Sequence, residues 1–196
     1  MSNFYKEHIP KVLDYISKLI QSKLIIGIDG LGGSGKSTFA KELLVFMPDA
    51  IIVHMDDFYK PKVLRDASNT NSEVGAFFDW QRLEKQLLIP FIENREILIQ
   101  KYDWESDYLK NWQSIPNATN VIIEGVYSTR KELLKYYNLK IWIDCPAEIR
   151  LLRGIERDGI EIKEYWQNVW MKQEEDYYKK HKPFLSSDVK IDGYND

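Results

Sequence analysis

Between Gly30 and Ser37 the chain reads GLGGSGKS, a stretch dense in glycine that closes on a lysine and a serine. It fits the phosphate-binding pattern G-x-x-x-x-G-K-[ST]. Phosphates are crowded anions, and backbone N–H groups can close around them only where no side chain stands in the way. Gly30, Gly32, Gly33 and Gly35, with Ser34 among them, permit positive dihedrals and close approach. From Thr38 to Met47 the pattern turns helical, so unpaired N–H groups and the positive end of a helix dipole face the same anion. Lys36, with its ammonium in solvent, is expected to reach the β- and γ-phosphates of a nucleotide, and the Ser37 hydroxyl to ligate Mg2+.

Carboxylates supply the other half of such chemistry. Asp56 and Asp57 follow the apolar run Ala50–Met55 within HMDDFYKP. Phosphoryl transfer to an alcohol needs a base that takes the hydroxyl proton close to the metal. Adjacent residues in extended chain point to opposite sides, so one of the pair is expected to face the site. Asp57 is assigned the quieter part of a turn or cap, and His54 reads as a core histidine. Glu124 stands just past the apolar run of VIIEG, where a carboxylate completes a nucleotide–metal site through a metal-bound water.

Ile149 to Asp158 reads IRLLRGIERD. At ~100° per residue, Arg150, Arg153 and Arg157 fall within about 60° of one another, with Leu151, Leu152 and Ile155 on another face. Arg153 and Arg157 form a like-charge i,i+4 pair, which an anion between them would relieve. Guanidinium forks suit a transferring phosphoryl group, so residues 150–159 are expected to form a mobile lid.

The elements that position these groups are legible as a pattern. Apolar runs at Leu24–Ile28, Ala50–Met55, Asn120–Ile123, Leu139–Ile143 and Val189–Ile191 read as buried strands. Helical segments at about 36–47, 80–93, 129–136 and 146–158 separate most of them. Alternation of this kind predicts a three-layer α/β/α sandwich with a five-stranded parallel sheet. Residues 57–119 are too long for an ordinary crossover; they hold a helix at 80–93, a strand at 96–102 and the aromatics Tyr102, Trp104, Tyr108 and Trp112, and are expected to build the substrate site. Residues 1–22 suit a helix docked by one face.

At 196 residues, 44% hydrophobic and 29% charged, the chain reads as one soluble domain over residues 1–196. A net charge of −3 without a basic stripe argues against a nucleic-acid partner, and no apolar run approaches the ~18 residues of a membrane span. Cys145 is the only cysteine, which fits a reducing cytoplasm and a buried structural thiol. Oligomeric state leaves no mark.

With these parts in order, the chain resembles the P-loop kinases of the uridine kinase and phosphoribulokinase group, through GLGGSGKST, HMDDFYKP, FDWQRLEKQLLIP, YDW, EGVY, RLLRGIERD and SDVKIDG. The resemblance implies the P-loop nucleoside kinase fold, with ATP at Gly30–Thr38 and Mg2+ held by Ser37 with Glu124 close by. It implies Asp56 as the base and Arg153 and Arg157, with Lys36, as the phosphate clamp. It also implies substrate contacts from Tyr59, Glu73, Asp79, Tyr102, Asp107 and Glu124 besides Asp56. The D-H-P-D-A-F-type segment of uridine kinases is here SEVGAFFDW, with Glu73 near its first acid, and Asp107 stands near the place of a histidine. The acceptor implied is a small nucleoside-like molecule, uridine or cytidine first. The alternatives are nicotinamide riboside, pantothenate or a sugar phosphate, or a nucleotide-binding module without transfer activity. A GTP-type switch would need an N-K-x-D reader, which the chain lacks.

Overall fold

The computed structural model describes Tyr5 and residues 7–66, 73–116 and 118–194. Helix α1 (His8–Ser17) leads into strand β1 (Leu24–Asp29), the glycine loop and α2 (Lys36–Leu44). Strand β2 (Ala50–His54) ends in a 3-10 turn, Met55–Phe58, followed by the short α3 (Lys62–Asp66). A continuous helical stretch then runs from α4 (Trp80–Leu83) through a π-turn (Glu84–Leu88) into α5 (Ile89–Ile92). Pro90 lacks the N–H that the carbonyl of Gln86 would take, and the helix widens there.

The expected strand at 96–102 is two shorter ones. β3 (Leu98–Ile99) pairs with β6 (Gln113–Ser114), and between them β4 (Tyr102–Asp103) pairs with β5 (Tyr108–Leu109). The ladder breaks at Gln100, whose N–H goes to Gln86 Oε1 (3.0 Å), and resumes at Lys101, whose carbonyl accepts from Lys110 N (2.8 Å).

The chain then returns to the sheet with β7 (Asn120–Glu124), β8 (Leu139–Asp144) and β9 (Val189–Asp192), giving the order β2-β7-β1-β8-β9 with every pair parallel. Side-chain alternation splits the core between the two faces. Ile26, Ile28, Ile141 and Ile143 meet α1 and α2 through Ile9, Val12, Phe39 and Leu43. Ile25, Val121 and Ile123 meet Leu83, Leu87 and Phe91 on the other side. The expected helix at 129–136 is a 3-10 helix, Lys131–Tyr136; its larger rise, about 2.0 Å per residue, suits a short crossing from β7 to β8.

Helix α6 (Ala147–Asp158) follows β8 as expected. The sequence pattern did not yield the next element. α7 (Lys163–Tyr165), a π-turn (Trp166–Trp170) and α8 (Met171–His181) form one long helical stretch, and α9 (Pro183–Ser186) precedes β9. Among the described residues no helix is long and apolar enough to cross a membrane. Residues 67–72 and Asn117 of the expected insertion, and Met1–Phe4 and Lys6 of the expected N-terminal helix, lie outside the described residues.

Candidate active site

All five strands are parallel, so their carboxyl ends share one rim. Register puts Glu124 at the level of Ile28 in β1 and of His54 in β2. The glycine loop leaves β1 immediately beyond. Its hinge is Asp29, fully buried, whose carboxylate accepts hydrogen bonds from Gly30 N (2.7 Å), Thr129 N (2.9 Å), Thr129 Oγ1 (2.8 Å) and the Tyr177 hydroxyl (2.6 Å). Gly33 and Gly35 adopt φ of +78° and +99°, the left-handed conformation that turns successive N–H groups inward. α2 begins at Lys36, so its unpaired N–H groups open onto the same space.

Lys36 is not the solvated side chain expected. It is 7% exposed, and its ammonium donates to Leu31 O (3.0 Å). Ser37 Oγ donates to Glu124 Oε1 (3.1 Å), and the same oxygen lies 2.5 Å from His54 Nδ1. His54 is therefore a half-exposed partner of Glu124 rather than a core residue. Burial pushes the Glu124 carboxyl up, but the His54 hydrogen bond and the charge of Lys36 outweigh it and hold it below the ordinary range.

Asp56 and Asp57 lie on the 3-10 turn, not in extended chain, yet they diverge because successive residues there are about 120° apart. Asp56 opens onto the cleft. Asp57 faces away and pairs with Lys101. Protein walls crowd Asp56 although its surface is open to the cleft. That crowding and the negative charge of Glu124 raise its carboxyl above the ordinary value, against the pull of Lys36 and Arg157. A carboxylate tuned upward is a better proton acceptor near neutral pH.

The cleft they share has a volume of about 320 Å3, the size of a small-metabolite site. Gly32, Gly33, Gly35, Lys36, Ser37 and Thr38 form its floor; Asp56, Glu124, Arg153 and Arg157 border it. Its far wall is aromatic: Tyr59, Phe78, Trp104 and Tyr127 on one side, Trp166 and Trp170 on the other. Tyr59 stacks on Trp104 at 4.7 Å, and Trp170 packs edge-on against Trp166 at 5.1 Å. Tyr127, at φ +71°, is held between Phe78 (5.0 Å) and Tyr177 (4.7 Å), a left-handed non-glycine residue of the kind that collects at functional sites.

The arginines do not act as one face. Arg153 Nη1 donates to Gly193 O (2.7 Å) and Gly33 O (3.2 Å), and Arg157 pairs with Asp158 (2.7 Å) at the cleft edge. Arg150 is buried behind the loop, donating to Cys145 O (3.1 Å) and pairing with Glu174 (3.3 Å). Cys145 is buried, and burial raises its thiol.

Several expected substrate contacts stand elsewhere. Asp79 caps α4, accepting from Arg82 N at 2.9 Å. Tyr102 is buried and donates to Asp107 (2.5 Å), which also pairs with Arg65 (3.3 Å). Glu73 is exposed. None of these four lines the cleft. Trp166, Trp170, Gln173 and Glu174 also line the cleft, and Tyr177 holds Asp29 behind it, although no motif marks them. Spacings of four, four and three from Trp166 to Tyr177 put one side of a helix against the site, and that was the available signal.

Converging N–H groups, Lys36 and the arginines suit a polyphosphate. Among the described residues no group of three or more His, Cys, Asp or Glu could hold a metal by itself. A hydroxyl and one carboxylate, as at Ser37 and Glu124, would suit a Mg2+ whose remaining ligands are phosphates and water.

Residues 25–188 match the model of the Phosphoribulokinase / Uridine kinase family. The uridine kinase of Halobacterium salinarum is 28% identical over 69% of this chain, and inorganic pyrophosphatase TTM2 of Arabidopsis thaliana 24% identical over 85%. The chain spans 63% of the former and 24% of the latter. A Bacillus stearothermophilus structure, described as a possible uridine kinase, superposes with a TM-score of 0.74 over 95% of this chain and 98% of its own, at 23% identity. At that identity the likeness speaks for the fold.

Proposed function

Because the chain belongs to the phosphoribulokinase and uridine kinase family, we propose that it is an ATP-dependent kinase that phosphorylates a hydroxyl of an uncharged, nucleoside-like metabolite, uridine or cytidine first. The observation that carries the reaction is the meeting of Lys36, Ser37, Glu124 and Asp56 at one end of an aromatic cleft. ATP, when bound, supplies the γ-phosphoryl group, and Mg2+ offsets its charge. The loop N–H groups and Lys36 bind the phosphates, and Ser37 and Glu124 hold the metal. Asp56 orients the acceptor hydroxyl and takes its proton as its oxygen bonds to the γ-phosphorus, while the bond to the β–γ bridging oxygen breaks and ADP leaves. Arg157 and Arg153 stabilise charge on the transferring group, and the two tryptophans keep water out.

The walls support an uncharged acceptor. The cations lining the cleft are Lys36, Arg153 and Arg157, all assigned to phosphate. Of the insertion's cations, Arg65 pairs with Asp107 (3.3 Å), Lys101 with Asp57 (2.9 Å), Lys110 with Asp103 (3.5 Å) and Arg82 with Asp79 (3.9 Å), and none of the described lysines and arginines of the insertion lines the cleft. An anionic acceptor would meet Asp56, Glu124 and π faces without a counter-ion, an unfavourable burial. This disfavours sugar phosphates and pantothenate among the alternatives.

The test is ATP consumption with each member of a panel of nucleosides, sugar phosphates and carboxylate-bearing alcohols. Turnover with neutral nucleosides is the expected result. Preference for an anionic alcohol would overturn the acceptor assignment, and phosphate release with no acceptor dependence would overturn the kinase assignment.

A further inference from the structure

Glu174 reaches inward from α8 and is 6% exposed. Its Oε2 accepts from Gly32 N (2.9 Å) and from Arg150 Nη1 (3.3 Å). The same Arg150 nitrogen lies 3.4 Å from Gly32 O. One buried ion pair therefore grips both polar groups of a single loop glycine. The fit is close: a Cβ on Gly32 would stand 2.7 Å from Glu174 Oε1 and 3.0 Å from the Trp166 ring. Three residues further along α8, the Tyr177 hydroxyl holds Asp29 at the loop entrance. Trp166, Trp170 and Gln173, from the same helical stretch, line the cleft.

A glycine loop is costly to order because glycine loses the most backbone freedom. Hydrogen bonds to a charged group can offset that cost before the nucleotide arrives. We infer that Glu174, paired with Arg150, is a positioning residue that presets the Gly32 peptide groups of the phosphate loop for nucleotide binding. It also makes the helix of the aromatic wall a part of the nucleotide site. The inference rests on the reading of this loop as an ATP site.

Two other roles predict different behaviour. A carboxylate beside the phosphates that acted only by repulsion would, once neutralised, let nucleotide bind more tightly. Removing a carboxylate that only braced the fold would lower thermal stability and leave nucleotide affinity unchanged.

The test is calorimetric binding of Mg2+ and a non-hydrolysable ATP analogue to the full chain, with KM for ATP and kcat alongside. Glu174→Ala should weaken binding by about tenfold or more, the equivalent of losing a charged hydrogen bond. Glu174→Gln keeps an oxygen for Gly32 N–H but faces Arg150 without charge, and should fall between wild type and alanine. Both should raise KM for ATP more than they lower kcat. Glu174→Gln also carries the test if the alanine variant fails to fold. Adding Glu174→Gln to Arg150→Met should recover part of the loss of Arg150→Met, because the buried carboxylate is then no longer unpaired. Analogue binding by Glu174→Gln within twofold of wild type, or tighter than wild type, overturns the inference. A wild type that binds the analogue but transfers no phosphoryl group overturns the kinase reading alone. A wild type that binds no analogue overturns both.

Discussion

Ser37 Oγ and Glu124 Oε1 lie 3.1 Å apart, joining the first turn of α2 to the end of β7 across 87 residues of sequence. The pair offers a neutral and an anionic oxygen beside Lys36, in keeping with a divalent cation whose other ligands come from phosphate and water.

If Glu124 holds that cation, Glu124→Gln should raise the Mg2+ concentration for half-maximal turnover at least tenfold and lower kcat at saturating ATP. Ser37→Ala should act in the same direction. A Mg2+ titration at fixed ATP checks both; an unchanged midpoint in both variants would remove these residues from the metal site.

The two adjacent aspartates should separate cleanly. Asp56→Asn keeps shape and loses the proton acceptor, and should lower kcat by ~10²–10⁴-fold. Asp57→Asn breaks a half-buried pair with Lys101, so it should lower the melting temperature while turnover stays within a few-fold of wild type. Equal losses of kcat would show that the base is misassigned.

Arg153 and Arg157 should differ as well. Arg157 pairs with its neighbour Asp158, lies over the Trp166 ring at 5.8 Å and has 67% of its side chain exposed. Arg157→Ala should fold normally and lower kcat far more than it raises KM, since an arginine at a phosphoryl-transfer transition state contributes ~10³–10⁵ in rate. Arg153→Ala should lose thermal stability as well as kcat, because Arg153 ties the glycine loop to Gly193. Steady-state kinetics with a melting curve for each variant decides between them.

Stability should carry a histidine-dependent pH slope. His181 Nδ1 accepts from Lys131 N at 3.3 Å, which only the neutral ring can do. Burial lowers its pKa, against the opposing charge of Glu132. The unfolded chain then binds the proton more readily than the folded one. This contribution is complete above the ordinary histidine value of about 6.5 and is lost as pH falls through the lower folded value. Denaturant unfolding of wild type and His181→Gln from pH 7.5 to 5 tests this; the slope should flatten in the variant, whose amide oxygen accepts without titrating.

What the sequence determined by itself was built from local pattern. The phosphate loop, its flanking strand and helix, the parallel sheet and the acids at strand ends are written in contiguous residues, because glycine dihedrals, apolar runs and chain direction are local properties. That Asp56 and Glu124 share one rim was legible for the same reason: parallel strands put every carboxyl end on one side. Side-chain partners across the fold were not. Tyr102, Asp107 and Asp79 looked like substrate contacts by position in a motif, but packing turned them toward Arg65 and the start of α4. Lys36 looked solvated until Leu31 O and the loop enclosed it. Glu174 and Arg150 are 24 residues apart and have meaning only together, at Gly32. Burial leaves a charge little choice but to find its counter-charge, and which one it finds is decided when the helices dock.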